Sequence, residues 1–128
     1  MAKYEKNLTG NFNTFLQMVN EEILKGSISA SFEDGSDIQM GNIRCVVNVY
    51  ERYSWIGSNR VSLTVTLFGE MNNFTLSAIT AGGSQAMFFK INTFGENAFL
   101  DCLVKIVDKY EKMYNLVNNE EPKSKYVK

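Results

Sequence analysis

Between residues 28 and 78 apolar and polar side chains alternate in successive short runs, and this period-two stretch is bracketed by two segments of helical period. A chain so arranged has to bury one face of a sheet beneath two helices, which leaves few other folds open. The leading helical segment carries Phe12, Phe15, Leu16, Val19 and Ile23 on one stripe, predicting a helix over residues 11–25 with Gly26 as its left-handed stop. Residues 4–8 can form a short opening strand before it, and the sequence alone does not decide whether they do.

After Gly26 the period changes. Ile28, Ala30 and Phe32 alternate with Ser27, Ser29, Ser31 and Glu33, giving a half-buried strand. Asp34-Gly35-Ser36-Asp37 reads as a turn, and Gly41-Asn42 as the loop before the next run. That run directs Ile43, Cys45, Val47 and Val49 inward, and Arg44, Asn48, Tyr50 and Arg52 outward. Residues 54–59 form a hairpin connection. Beyond it Val61, Leu63, Val65 and Leu67 alternate with Ser62, Thr64, Thr66 and Phe68. Asn72-Asn73 turns the chain into a strand facing Phe74, Leu76 and Ala78 inward; Gly82-Gly83-Ser84 ends it, and a shorter strand over 87–91 follows. Phe99, Leu103, Ile106, Val107, Tyr110 and Tyr114 restore the helical period and predict a helix over 95–116.

The fold class expected is α+β: an antiparallel meander of four to six strands, with an N-terminal helix and a longer C-terminal helix packed on one face. Length suits one domain, taken as residues 1–117, and the polar segment 118–128 is expected to remain a flexible tail.

Thirteen basic and fourteen acidic residues give a net charge of −1, so the electrostatic footprint of a dedicated nucleic-acid binder is missing. Convergence of Arg44, Arg52 and Arg60 would be needed for that role. No apolar run approaches the roughly 18 residues of a membrane span, and no signal-peptide core follows Met1, so a cytoplasmic protein is expected. Cys45 and Cys102 then read as buried thiols in a strand and a helix.

Histidine is absent, which removes the commonest general base, the histidine-dependent triads and most zinc sites. No phosphate-binding glycine loop and no cysteine pair occurs, and no cofactor is implied. Four groups of residues deserve weighing. Gly82, Gly83, Ser84 and Gln85 form either a tight turn or a backbone nest for an anion. Glu33, Asp34, Asp37 and Glu51 are either solvated turn residues or an oxygen-ligand metal site, with the former favoured because calcium-loop spacing is missing. Tyr50, Arg52, Tyr53, Trp55 and Arg60 surround one hairpin, as ordinary sheet packing or as a clamp for an anionic or aromatic ligand. Finally, the outward face, with Ser29, Ser31, Arg44, Asn48, Tyr50, Ser62, Thr64, Thr66, Thr75 and Ser77 alongside Val46, Phe68 and Ile79, is either wet or the seat of self-association.

Gly26 through Ser31, Val49 through Ser54, Asn59 through Leu63, and Leu76 through Glu96 resemble a family of small bacterial proteins of unknown function, the DUF6054 type. The similarity extends over the chain apart from its tail and is most distinctive from Ser77 to Ala86. It implies a bacterial, cytoplasmic origin and brings no activity, ligand or site residue.

The residues therefore point to a non-enzymatic small-ligand- or protein-binding module that works as a homodimer. The alternative is a helix-grip-like carrier or enzyme whose pocket, between sheet and C-terminal helix, is lined by Phe32, Phe74, Phe89 and Phe99.

Overall fold

The computed structural model describes residues 1–26, 29–54, 59–82 and 99–116. The chain begins with strand β1 (Ala2–Thr9), turns at Gly10 into helix α1 (Phe12–Gly26), and continues through β2 (Ser31–Met40), β3 (Ile43–Ser54), β4 (Asn59–Gly69) and β5 (Asn73–Gly82). A C-terminal helix, α2, is described over 99–116. The five strands pair antiparallel in the order β1-β5-β4-β3-β2.

This order makes β1 and β2 opposite edges of the sheet, so α1 must carry the chain across the face. Four strand spacings amount to about 19 Å, and fifteen helical residues rise about 22 Å, so the helix length matches the crossing. Its stripe, Phe12, Phe15, Val19 and Ile23, is buried, and Asn11 caps it by accepting the Thr14 N–H on Oδ1 at 3.0 Å. Helix α2 adds Phe99, Leu103, Ile106, Val107 and Tyr110 to the same core as Val61, Leu63, Leu67, Phe74 and Leu76. Both helices thus cover one face, and among the described residues the other face is open.

Three expectations need correction. Asp34-Gly35-Ser36-Asp37 is strand, not turn. Residues 31–40 pair with β3 apart from a register shift between Phe32 and Asp34, and the reversal comes at Gly41-Asn42, where Gly41 has φ 61°. The low strand propensity of Asp and Gly yields here to a ladder already templated by β3. Second, β3 presents the opposite face from that read in the sequence: Val46 and Tyr50 are buried against the helices, and Ile43, Cys45, Val47 and Val49 lie on the open face. The helix-facing set, Arg44, Val46, Asn48, Tyr50 and Arg52, is the more polar of the two; register overrides the pattern, by pairing Val46 with Leu67 and Tyr50 with Leu63 of the unambiguous strand β4. Cys45 accordingly joins the open face, and it and Cys102 are free, partly exposed thiols. Third, Gly26 is the last helical residue without a left-handed φ. The expected strand over 87–91 and the start of the second helix at 95–98 lie outside the described residues.

Candidate functional site

Strand alternation decides where the hairpin residues go. Tyr50 and Arg52 point to the helices, and Tyr53 and Arg60, paired across β3 and β4, point to the open face. Tyr50 is buried; its hydroxyl donates to Asn20 Oδ1 at 3.0 Å and accepts from Asn48 Nδ2 at 3.4 Å, while Phe32 meets its ring edge-on at 5.8 Å. Burial pushes the Tyr50 phenol above its ordinary range, and the Asn48 hydrogen bond opposes this. The Arg52 guanidinium lies 4.6 Å from the centroid of Phe99. On the other face Arg60 stacks 5.4 Å from the Tyr53 centroid and pairs with Glu51 at 3.3 Å. The structure therefore joins Tyr53 with Arg60 but sets Tyr50 and Arg52 behind them.

Gly82 pairs with Val61 and has φ 115°; a Cβ there would come within 2.5 Å of the Arg60 carbonyl oxygen, so only glycine fits. Trp55, Gly83, Ser84, Gln85 and Phe89 lie outside the described residues. The four acidic residues do not converge: Asp34 and Glu51 belong to the open face, Glu33 bonds Ser31, and Asp37 turns toward α1. Among the described residues no cluster of metal-ligating side chains occurs.

Along the flank of α1 facing β2, two hollows of about 410 and 580 Å³ flank a bridge that the sequence did not announce. Arg44 grips both oxygens of Asp37, at 2.9 and 2.7 Å, and extends a further N–H to Asn13 Oδ1 at 2.5 Å. Its guanidinium also lies 4.9 Å from the centroid of Phe12. The Arg44 hydrogen bonds hold the Asp37 carboxyl below its ordinary range. The first hollow is lined by Phe12, Gln39, Asn42, Arg44, Glu70 and Met71, among others. The second pairs apolar Leu16 and Phe32 with the carboxamides of Asn13, Gln17, Asn20 and Asn48. Such a wall offers hydrogen-bond donors and acceptors in equal measure and no proton-transfer group, which suits recognition more than acid–base chemistry. The readable signal was the recurrence of Asn13, Gln17 and Asn20 at helical spacing.

The open face is more apolar than its sequence pattern implied. Rows across the strands place Ile38 beside Cys45 and Phe68, Ser36 beside Val47 and Thr66, and Asp34 beside Val49, Thr64 and Ile79. Ile38 and Phe68 are more than half exposed.

Comparison with known families matches residues 1–111 to a family of unknown function, DUF6054. The chain belongs to the DUF6054 family. The match takes in all five strands and α1, together with α2 as far as residue 111, and so spans both the open face and the α1 flank of this DUF6054 chain. No curated protein matches it. No helix among the described residues is long and apolar enough to cross a membrane.

Proposed function

We propose that this DUF6054 protein is a non-catalytic binding module of the bacterial cytoplasm that assembles as a homodimer by packing two open sheet faces together. The observation that carries the reading is the composition of that face. Ile38, Cys45, Val47, Val49, Phe68 and Ile79 form its apolar part, with Thr64, Thr66 and Ser77 between them. Its charges, Lys3, Glu5, Asp34, Glu51 and Arg60, belong to the edge strands and to the hairpin end. Exposed apolar groups rimmed by charge are the pattern of a contact surface.

Size and polarity favour a second copy. Five strands of about ten residues present about 24 by 33 Å, or about 800 Å², close to what one partner contributes to a standard interface. Several polar groups of the face are already paired within the sheet: Thr75 with Asn7 at 2.8 Å, Ser77 with Glu5 at 3.0 Å, and Ser62 with the Ala81 carbonyl at 3.3 Å. Covering them leaves fewer lone donors to desolvate. A small anionic or aromatic ligand at Tyr53 and Arg60 is an accessory part of the same reading, since that stacked pair borders the interface.

Native mass spectrometry tests the proposal. The expected main species has twice the 14.5 kDa chain mass. A monomer persisting at tens of micromolar contradicts it.

A further inference from the structure

The sheet has a second unpartnered feature that its open face does not explain. Strand β2 ends the strand order, so along its outer edge the backbone N–H and C=O groups have no strand beside them among the described residues. Nine of its ten residues are exposed. Natural edges are usually blunted. Here one register shift, between Phe32 and Asp34, disturbs the beginning of the strand, and from Asp34 to Met40 the pairing with β3 runs without interruption. Those residues leave about 23 Å of regular edge. Beside it lie the two hollows under α1, separated by the Arg44 bridge.

We propose that the β2 edge and the adjoining α1 flank bind an extended, positively charged peptide segment, which adds to the sheet as a further strand. Apart from the Gly35 N–H, which donates to Asp34 Oδ1 at 2.8 Å, the edge backbone supplies main-chain hydrogen bonds, and alternate side chains of the peptide enter the hollow between Leu16 and Phe32. The carboxamides of Asn13, Gln17 and Asn20 line the wall and can accept from or donate to either kind of peptide group. Charge selects the occupant. Strand β2 contains Glu33, Asp34 and Asp37 and no basic residue; Arg44 pairs with Asp37, and among the described residues no cation pairs with Glu33 or Asp34. A second β2 laid alongside would oppose acid to acid, so the edge disfavours self-pairing and favours a basic strand.

Fluorescence anisotropy with a dye-labelled peptide of alternating lysine and valine, about seven residues long to match the edge, provides the test. The expected result is saturable binding that Gln17→Trp, which fills the hollow, and the Glu33→Lys/Asp34→Lys pair each weaken by about tenfold or more, with circular dichroism unchanged. Amide NMR shifts should concentrate in residues 34–40 and along the α1 flank. Equal affinity for either variant, or equal binding of an alternating glutamate and valine peptide, overturns the proposal. The outer edge of β2 shares Asp34 and Ile38 with the rim of the open face, but its main-chain groups and the α1 hollow do not include Val47, so a Val47→Asp protein should bind the peptide as well as wild type, and loss of the dimer and loss of peptide binding are read separately.

Discussion

Tyr110 joins three segments through one hydroxyl. It donates to the Thr9 carbonyl at 2.8 Å, accepts from the Asn11 N–H at 2.8 Å, and its ring meets Phe15 edge-on at 5.0 Å. The β1 to α1 turn is thereby tied to α2, and Gly10, with φ 119°, allows it, because a Cβ there would fall 2.1 Å from the Tyr110 oxygen. Tyr110→Phe leaves a donor and an acceptor without their partner and is expected to cost about 1–2 kcal/mol in urea unfolding. Gly10→Ala should cost about 1–3 kcal/mol, from the left-handed backbone together with the displaced phenol. Ionisation gives a second residue-scale prediction. Burial raises the phenols of Tyr50 and Tyr110 above the ordinary 10.0, against hydrogen bonds from Asn48 and the Asn11 backbone. A raised folded-state value means that this stability is complete below pH 10 and is lost as pH climbs through the folded values. The urea midpoint is expected to fall above pH 10, and to fall less steeply in Tyr50→Phe.

At the scale of elements, β3 provides the sharpest check on the architecture, because neighbouring valines on it have opposite environments. Val46 is buried under the helices and Val47 lies on the open face. Val46→Asp should cost more than about 3 kcal/mol through a buried unpaired charge, and Val47→Asp less than about 1 kcal/mol in dilute solution where no dimer forms. Equal losses would refute the register. The same strand marks the limit of what the sequence makes legible. The stripes Phe12, Phe15, Val19, Ile23 and Leu103, Ile106, Val107, Tyr110, and the alternation Val61 to Leu67, each have one apolar side and declare their facing. Strand β3 has its more continuous apolar set, Ile43, Cys45, Val47 and Val49, on the open face, and only pairing with β4 turns the more polar set, through Val46 and Tyr50, to the helices. Strand β2 is an exposed edge whose residues need no apolar alternation, so Asp34 to Asp37 imitates a turn. At the candidate site, Tyr53 and Arg60 do meet, whereas the grip of Arg44 on Asp37 and Asn13 joins β3, β2 and α1, and no local pattern encodes such a meeting.

On the scale of the whole molecule, one asymmetry organises the rest: both helices gather on one face of a five-stranded sheet, and the described residues leave the other uncovered. The helical side accounts for the fold's stability, and the open side accounts for assembly in the proposed dimer. Sedimentation equilibrium of the wild-type protein beside Val47→Asp measures this division most directly. The account predicts a dimer for wild type and a folded monomer for Val47→Asp. A wild-type monomer, or a Val47→Asp protein that remains dimeric, would contradict it.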